Sequence, residues 1–357
     1  MSHVYNKYYD GTYLMNALDS DGNKPGWYVA CSSERGPGKT TFFSRYLLQQ
    51  FIQKGEQFAL LCRDVSDLGR VASGILNSYL DNSCFDDERP KYTVRELIAQ
   101  KGAYSEIHLM LGEGEEKTDQ LCGFVLPIRQ AEKKLKRCSS AFVHIQRMFF
   151  DEFQPMQNST YLKDEIELLT ILFDSVARGD GEQSRYVPII LASNTISLGN
   201  PYFTALGLNT KIQSNTAFYR GKGVVFEQVF VKGLAELHQS NPFHVALQAH
   251  ESKRKNNLWI NDDGALVMKP TGRGLYLCTI EYMGDMYGLL EYGNLWYISR
   301  KIDKHVKYIY ATDPEKPTTL PQLKLQPMYK RMRDMYYKGR MRVQDCGCQN
   351  MLVDLLA

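Results

Sequence analysis

Residues 26–43, GWYVACSSERGPGKTTFF, place a short apolar run directly before a turn rich in glycine. The end of the turn fits the phosphate-binding pattern G-x-x-x-x-G-K-[ST], with Gly38, Lys39 and Thr40 in its last three positions. Ser33 stands at the first position, where the pattern has glycine. The residues after the turn carry apolar side chains at helical spacing, so the stretch predicts a strand, a loop and a helix in that order. That order is the context in which such a loop binds phosphates.

The loop predicts a site for ATP and Mg²⁺. Backbone N–H groups at a glycine-rich turn and a helix N-terminus surround phosphate groups. The lysine reaches the β- and γ-phosphates, and the hydroxyl beside it binds Mg²⁺. Serine in place of the first glycine restricts the backbone without blocking the loop. The predicted nucleotide-binding residues are Ser33, Gly36, Gly38, Lys39, Thr40 and Thr41.

A second signal is MFFDEF, residues 148–153, an apolar run that ends in two acids. In a magnesium-dependent NTPase, Asp151 would hold Mg²⁺ and Glu152 would polarise the attacking water. Two solvated acids at the end of a strand are the alternative interpretation, since acids are common at such exposed positions. The presence of a phosphate loop upstream favours the catalytic interpretation.

Three further residues have both a catalytic and a structural interpretation. VPIILASN, residues 187–194, predicts a strand that ends in a polar pair, where Asn194 would sense the γ-phosphate or hold the lytic water. A turn asparagine is the alternative. Arg178 follows an amphipathic helix, where an arginine is either solvated or, in a ring ATPase, a finger that enters the neighbour's site. Arg35, inside the loop, is a competing or complementary arginine of the same chain.

The remaining pattern predicts two domains. Strands and helices alternate up to residue 229, including a hairpin formed by SEIHLML and QLCGFVLPI, which is typical of an α/β domain with a largely parallel sheet. We expect Ser66 to cap the helix in VSDLGRVASGILNSYL. Residues 230–256 are polar and predict a linker. Residues 257–357 predict an antiparallel meander, in LYLCTIEY, MYGLLEY and LWYISRK, and a helix in MYKRMRDMYYK.

Composition limits the class of protein. With 357 residues, of which 43% are hydrophobic and 23% charged, the chain has the composition of a globular protein and the length of two domains. It has no run of about eighteen apolar residues and no leader-like start, so we expect neither a membrane span nor secretion. The eight cysteines include no C-x-x-C pair, which favours reduced thiols. Four of them lie in apolar runs and are predicted core residues: Cys31, Cys62, Cys122 and Cys278.

Positive charge is concentrated late in the chain. Residues 230–357 carry 18 basic and 13 acidic side chains, whereas residues 1–229 carry 25 and 27. Basic residues interleaved with tyrosine suit the phosphate backbone of DNA or RNA, contacted without sequence preference; a merely solvated helix face is the alternative. The candidate nucleic-acid-binding residues are Lys330, Arg331, Arg333, Lys338 and Arg340 near the C-terminus, Lys253, Arg254 and Lys255 in the linker, and Lys133, Lys134 and Arg137 before the acidic strand.

Four stretches together resemble a known family. FIQKGEQFALLCR, FFDEF, LFDSVAR and LASNTISLGNPYF are similar to the DNA-packaging ATPase, or encapsidation protein, of small short-tailed phages with protein-primed genomes. The resemblance covers nearly the whole chain, and SN-x-x-S-x-x-NPYF is its most specific part. Ser33 departs from the glycine of that family. The lysine that follows the family's second strand has no obvious counterpart in RDVSDLGR.

The resemblance implies a fold, an activity and partners. The first domain would be a P-loop NTPase of the additional-strand, catalytic-glutamate type, and the second a small α+β domain like RNase H that has lost nuclease activity. The activity would be ATP-driven translocation of double-stranded viral DNA into a preformed capsid, in the host cytoplasm, by a homopentameric ring docked on the phage portal. The resemblance leaves open whether a structural packaging RNA takes part.

The functional roles of that family fall on residues already singled out. By this resemblance, Lys39 and Thr40 would bind phosphate and Mg²⁺, Asp151 would bind Mg²⁺, and Glu152 would activate water. Asn194 would sense the nucleotide or couple the site to motion, Arg178 would be an arginine finger in trans, and Arg35 would be the arginine of the loop.

Two other interpretations remain open. A terminase-like motor with an active C-terminal nuclease needs several carboxylates around two metal ions about 4 Å apart. The meander offers Glu281, Asp285, Glu291 and Asp303, without an aspartate in the middle of its first strand. The second interpretation is a non-hydrolysing nucleic-acid-binding protein with a degenerate phosphate loop, and Ser33 is its only support in the sequence.

Overall fold

The structure is a computed structural model that describes residues 4–5, 8–32, 36–88, 92–111, 118–155, 161–178, 183–195, 197–213, 216–234, 266–313 and 319–356. These residues form two compact units. The first contains the described residues up to 195 together with 216–234, and the second contains 197–213 together with the described residues from 266 onward. Each unit has its own extended β-sheet.

A nine-stranded mixed sheet forms the frame of the first unit. Its six central strands are parallel, and antiparallel strands extend it on both sides. In order across the sheet, the strands are β4 (Tyr92–Ala99), β5 (Tyr104–Leu111), β6 (Thr118–Pro127), β3 (Gln57–Cys62), β7 (Ile145–Asp151), β8 (Ile189–Asn194), β2 (Trp27–Ser32), β10 (Val224–Gln228) and β9 (Phe218–Gly221). A separate pair joins β1 (Val4–Tyr5) to β11 (Phe230–Val231). The predicted parallel sheet and the β5–β6 hairpin are confirmed, whereas β4 and the β9–β10 hairpin were not predicted.

Helices cover the sheet and exclude water from its central strands, as a parallel sheet requires. The helices of the first unit are α1 (Thr12–Met15), α2 (Lys39–Lys54), α3 (Val71–Leu80) and α4 (Glu165–Ala177). Phe43 of α2 and Leu76 of α3 join Phe58 and Ile190 of the sheet in one apolar cluster. The α4 helix packs on short 3₁₀ turns between β6 and β7. The four cysteines that the sequence assigned to the core are buried.

The expected helix cap at Ser66 is wrong. Ser66 lies in a separate 3₁₀ turn, and α3 begins only at Val71. The start of α3 is instead satisfied from another strand, because Glu96 of β4 accepts hydrogen bonds from the N–H groups of Gly69 and Ala72, at 2.6 and 2.9 Å. A carboxylate there supplies both acceptors and negative charge to the positive end of the helix.

The N-terminal strap, residues 4–5 and 8–11, is tied to this sheet. The hydroxyls of Tyr5 and Tyr9 donate to the two carboxylate oxygens of Glu227, at 2.7 and 2.9 Å. Glu227 lies on β10 and is 2% exposed. Burial and the neighbouring carboxylate raise the pKa of both phenols, so both remain protonated donors. The strap is therefore anchored by a buried carboxylate with two donors.

A five-stranded mixed sheet forms the frame of the second unit. Its strands are β15 (Ile309–Ala311), β12 (Leu275–Tyr282), β13 (Asp285–Tyr292), β14 (Leu295–Ser299) and β16 (Met341–Val343), in that order across the sheet. The predicted meander is β12, β13 and β14, and the two outer strands extend it in parallel. The helices of this unit are α5 (Pro201–Ala205), α6 (Pro327–Tyr337) and α7 (Cys346–Leu356), of which α6 was predicted.

Residues 197–213 pack into the second unit, although the sequence assigned them to the first domain. Asp354 of α7 accepts hydrogen bonds from the side chains of Asn209, at 2.8 Å, and Thr204, at 3.3 Å. The Asn350 side chain donates to the Asn209 carbonyl at 3.0 Å. These polar contacts join residues more than a hundred positions apart, so no local pattern reveals them.

The expected linker also begins later than predicted. Its first two residues form β11, and the part from residue 235 to 256 lies outside the described residues. Among the described residues, no helix combines the length and the apolar character needed to cross a membrane.

We expect Asn350→Ala to loosen the 197–213 segment. Asn350 is 5% exposed, and its loss removes a buried hydrogen bond worth about 1–2 kcal/mol. Trypsin cleavage after Lys211 in the full-length chain should then become about 5–30 times faster. Val353→Ala, at a position of the same helix that is 40% exposed, is the matched control. Equal cleavage rates in Asn350→Ala and the unchanged protein would show that this contact does not hold the segment.

Candidate nucleotide-binding site

The phosphate loop connects β2 to α2, as the sequence predicts. Gly38 is the N-cap of α2 and has a φ of 99°, a left-handed conformation that strains any residue with a side chain. Lys39 is 6% exposed, and its ammonium donates to the hydroxyl of Ser32 at the end of β2. Burial lowers the pKa of Lys39 to about 8. The ammonium and the helix N-terminus place two sources of positive charge together, which suits an anion.

Asp151 ends β7 and faces this loop. Its Oδ2 accepts a hydrogen bond from the Thr40 hydroxyl at 2.8 Å. Burial raises the pKa of Asp151 to about 6, although the Thr40 hydrogen bond and the charge of Lys39 act in the opposite direction. The two residues predicted to hold Mg²⁺ are therefore in contact.

Glu152 follows β7 in an uncommon backbone conformation. Its φ of 52° lies in the left-handed region, which costs a residue other than glycine free energy and recurs at functional sites. Its backbone N–H donates to Asp151 Oδ1 at 3.1 Å, and its side chain is exposed. The turn therefore separates the two acids, of which Asp151 is half-buried and Glu152 is open to solvent.

The strand β8 lies between the loop strand β2 and the acidic strand β7. Asn194 is in register with Ser32 of β2, and Ala192 is in register with Asp151. Ser193 is buried, and its hydroxyl donates to the Asn194 carbonyl at 2.9 Å. One strand inserted between the loop strand and the acidic strand defines the additional-strand class of P-loop NTPases, so that prediction is confirmed.

One cavity of about 280 Å³ brings these groups together. The carboxyl ends of parallel strands meet at one edge of a sheet, which is where ligands of such sheets bind. The lining residues are Gly36, Pro37, Gly38, Lys39, Thr40, Thr41, Asp151, Glu152, Ser193 and Asn194. Loop, acid pair and polar pair, which were predicted from three separate stretches, therefore share one cavity.

The lining fits a nucleotide with Mg²⁺. Hydroxyl and carboxylate oxygens are the ligands that Mg²⁺ prefers, and Thr40 and Asp151 provide one of each. Within the described part of the chain, no cluster of three or more His, Cys, Asp or Glu side chains could hold a metal by itself. A cation here would depend on phosphate oxygens as well, which is how nucleotide sites usually bind Mg²⁺.

Arg63, which the sequence analysis did not single out, holds the Glu152 turn. Its guanidinium donates to the carbonyl of Glu152, at 3.3 Å, and to that of Phe153. It also makes two contacts of 3.0 Å with the Glu165 carboxylate, whose side chain is 1% exposed, and lies 4.9 Å from the ring centre of Phe150. A bidentate, largely buried ion pair thus fixes the backbone of the predicted catalytic glutamate. Arg63 directly follows β3 at the same sheet edge, and this position in the sequence could have identified it as a site residue.

Arg178 does not line the cavity. It is exposed and follows α4, whose 13 residues span about 20 Å. The opposite end of α4 carries Glu165, the partner of Arg63, so Arg178 lies a helix length away from the Glu152 turn. The Arg185 side chain caps the C-terminal end of α4, because it donates a hydrogen bond to the Val176 carbonyl at 2.8 Å. The role of Arg178 as an arginine finger stays a prediction.

The late basic residues form an exposed surface in the second unit. All five are exposed, four of them on or just after α6, which buries Met332 on its other side. Arg331 lies 5.4 Å from the ring centre of Trp296, and Lys338 pairs with Asp334 at 2.7 Å. In the first unit, Lys133 and Arg137 are exposed and Lys134 donates to a backbone carbonyl. The candidates Ser33, Arg35, Lys253, Arg254 and Lys255 lie outside the described residues.

The acids that a C-terminal nuclease would need are engaged within the chain. Their partners are the Gly284 N–H for Glu281, Lys211 for Asp285, the Trp296 indole for Glu291 and the His305 N–H for Asp303. Among the described residues of the second unit, no three such acids come together where they could hold a metal ion.

Comparison with known proteins identifies the family. The profile of the podovirus DNA encapsidation protein (Gp16) matches residues 28–356. The chain belongs to this family. Among similar encapsidation proteins, the DNA packaging protein of Bacillus phage B103 is 26% identical over 284 residues, 78% of each chain. The DNA packaging protein of Bacillus phage phi29 is 24% identical over 332 residues, 90% of each chain.

Solved structures show the same fold. A chain of the bacteriophage Phi-29 viral genome packaging motor assembly matches with a TM-score of 0.56 at 20% identity, covering 98% of each chain. A chain of the Phi-28 gp11 DNA packaging motor matches with a TM-score of 0.55 at 15% identity, covering 98% of this chain and 97% of that one.

In this encapsidation-family chain, Asp151→Asn should stabilise the nucleotide-free fold at neutral pH. The pKa of the carboxyl rises from 3.8 to about 6 on burial. Ionisation therefore lowers the free energy of unfolding as pH increases from about 4 to 6, by roughly 1–3 kcal/mol, and the loss persists above pH 6. Thermal unfolding should show a higher Tm for Asp151→Asn at about pH 7.5 and a much smaller difference near pH 4. Asp174→Asn, at an exposed position of α4, is the control; an equal gain at both pH values would contradict the assigned cause.

Arg63→Lys should slow catalysis in this family member without preventing nucleotide binding. Lysine keeps a positive charge opposite Glu165 but cannot donate to the carboxylate and both carbonyls at once. We expect an unchanged affinity for a fluorescent ATP analogue and a turnover reduced about tenfold or more, since a misplaced catalytic group costs about that much. Arg70→Lys, at an exposed arginine near the same sheet edge, is the matched control. Wild-type turnover in Arg63→Lys would mean that the Glu152 turn does not need this clamp.

Proposed function

We propose that this chain hydrolyses ATP to translocate double-stranded viral DNA into a preformed capsid, as a subunit of a homomeric ring docked on the portal. The observation that carries the proposal is the single cavity in which Lys39, Thr40, Asp151 and Glu152 meet. Membership of the encapsidation family supports it, as do the names of relatives called DNA packaging proteins.

Each residue of the cavity has a task in this proposal. Lys39 and the N-terminus of α2 bind the phosphates, and Thr40 and Asp151 hold Mg²⁺. Mg²⁺ would neutralise the charge that develops on the transferred phosphoryl group. Glu152, open to the cavity and fixed through Arg63, orients the attacking water and accepts its proton.

Two residues connect the site with the rest of the motor. Asn194, at the end of β8, contacts the γ-phosphate or the attacking water. Residues 197–213 begin three positions later and belong to the second unit, so a shift of Asn194 has a short covalent route to that unit. Arg178 stabilises transition-state charge in the neighbouring subunit's site. We extend the proposal to a pentameric ring, for which the family resemblance is the support.

The exposed basic residues are proposed to contact DNA. The surface on and after α6 and the turn that carries Lys133 and Arg137 both present cations to solvent. Contacts to phosphate carry no sequence information, which suits a motor that moves along any sequence.

The first test is ATP hydrolysis by the full-length protein, with and without double-stranded DNA. We expect turnover to increase with DNA and to be lost in Glu152→Gln, which should still bind ATP because the phosphate loop is intact. Glu132→Gln, at an exposed acid outside the cavity, should behave as wild type. Absence of ATP binding would reject the ATPase function and favour the alternative of a degenerate phosphate loop. A turnover rate that does not change when DNA is added would reject the translocase function.

Mixing of subunits tests the finger in trans. A mixture of inactive Lys39→Ala and Arg178→Ala proteins should regain turnover, because about a quarter of randomly formed ring interfaces would combine an intact loop with an intact Arg178. A mixture of Lys39→Ala and Glu152→Gln should not recover, since each interface then lacks a residue of the same cavity. Co-assembly is verified by crosslinking of differently tagged subunits. If mixed rings of Lys39→Ala and Arg178→Ala form but regain no turnover, that result would count against Arg178 as a finger in trans.

A further inference from the structure

The N-terminal strap, residues 4–5 and 8–11, contacts both the phosphate loop and β11. At one end, the Tyr9 N–H donates to the Pro37 carbonyl at 2.8 Å, and Pro37 directly precedes the N-cap of α2. At the other end, residues 4–5 form β1, which pairs in parallel with β11. The strap therefore connects the proposed nucleotide site with β11, although the two are distant in sequence.

β11 depends on the strap for its backbone hydrogen bonds. It has two residues, and β1 is the strand with which it pairs among the described residues. The Lys232 N–H, directly after β11, donates to the Tyr5 carbonyl at 2.8 Å. Even an isolated hairpin of two full strands is at best marginally stable in water. A pair as short as β1 and β11 therefore forms where the strap is held in place.

Packing and a buried carboxylate hold the strap between these two contacts. The hydroxyls of Tyr5 and Tyr9 share Glu227, and the two rings meet edge to face with their centres 5.1 Å apart. The centre of the Tyr9 ring also lies 5.5 Å from that of Phe42 of α2. A Cβ at Gly11 would lie 2.5 Å from the Phe42 ring, so a larger residue would push the strap away from α2. The strap is therefore a packed element whose two ends are coupled.

β11 stands where the chain leaves the first unit. The described residues of the first unit end at 234, and every described residue after that point belongs to the second unit. Release of residues 230–232 from the strap would add about 10 Å of extended chain before the second unit, at about 3.3–3.6 Å per residue. The state of β11 therefore determines how much unpaired chain precedes the second unit.

We propose that the strap couples phosphate binding at the loop to β11, and through β11 to the chain that enters the second unit. The inference rests on the proposed function, because it requires a nucleotide whose phosphates bind the loop. Bound phosphates fix the backbone of the loop, including the Pro37 carbonyl that accepts from Tyr9. A fixed acceptor stabilises the strap, and the strap then stabilises β11.

The coupling is reciprocal, as linkage between two binding events requires. If the bound nucleotide stabilises the strap, a strap that is in place raises the affinity of the loop for the nucleotide by the same factor. Loss of the phosphates would correspondingly release β11, so hydrolysis and product release would alter the chain that precedes the second unit. This coupling acts at a different point of the chain from Asn194, which ends β8.

The first experiment is hydrogen exchange of the full-length protein with Mg²⁺, with and without AMP-PNP, measured by mass spectrometry. AMP-PNP should slow exchange in peptides that cover residues 230–233 about fivefold or more, the lower end of coupling factors between two sites. Peptides from β14, an inner strand of the second sheet, should exchange equally in both samples. If AMP-PNP binds in a separate titration but exchange at 230–233 is unchanged, the inference is overturned and the phosphate site still stands.

The second experiment perturbs the strap outside the nucleotide cavity. Gly11→Ala should weaken AMP-PNP binding about fivefold or more and reduce the protection of residues 230–233 by a similar factor, because the two effects are linked. Gly26→Ala is the matched control, since a Cβ there would meet the Gly223 carbonyl oxygen at 3.8 Å, an ordinary contact. A folded Gly11→Ala protein with the affinity and protection of the unchanged protein would contradict the coupling.

Tyr5→Phe keeps the proposal testable if Gly11→Ala does not fold. It removes one donor to Glu227 at the β11 end of the strap, and Tyr5 does not line the nucleotide cavity. We expect smaller losses of AMP-PNP affinity and of protection at 230–233, again by a similar factor. Weaker protection with unchanged affinity would overturn the coupling and show that the strap merely holds β11 in the fold. Absence of AMP-PNP binding by the unchanged protein would instead reject the ATPase function and this inference with it.

Discussion

Two opposite charges at one sheet edge, the buried Lys39 and the half-buried Asp151, constrain the first unit. Desolvation acts against both, since it lowers the pKa of the lysine to about 8 and raises that of the aspartate to about 6. Such groups persist in a fold only when a rigid frame holds them there. The frame is the parallel order of β7, β8 and β2, which ends all three strands at the same edge. A phosphate would complement the charge of the lysine, and Mg²⁺ would complement the charge of the aspartate. The ligands of the proposed function would therefore offset the free-energy cost of desolvating these two groups.

Local patterns predicted what short segments of chain determine. Three features depend mainly on neighbours within a few residues: the strand, turn and helix around Lys39, the two acids in MFFDEF, and the late meander. The loop and the acids share one cavity because parallel strands end at one edge of the sheet. The clamp by Arg63 could not be predicted in this way, since its carbonyl partner Phe153 is 90 positions away. The helix cap by Glu96 and the packing of 197–213 depend equally on contacts that form only in the folded chain.

The clamp by Arg63 also relates two parts of the proposed mechanism. Glu165, the acid that binds Arg63, is the first residue of α4, and Arg178 follows the last. One helix therefore joins the turn of the proposed catalytic glutamate in one subunit to the finger proposed for the next. A helix transmits displacement along its axis with little loss, because its backbone hydrogen bonds resist stretching. In a ring, the position of the base in one site and of the finger in the neighbouring site would accordingly depend on each other.

The path of the chain through the two units has a consequence for inheritance. Along the described residues, the chain passes between the units three times, because 197–213 is surrounded in sequence by parts of the first unit. Side chains of that segment, such as Asn209, form hydrogen bonds with Asp354 near the end of the chain. The second unit is therefore not a contiguous cassette that recombination between phages could exchange by a single crossover. A crossover between 216 and 265 would combine a foreign α7 with a native segment, so the two must be exchanged together or co-evolve.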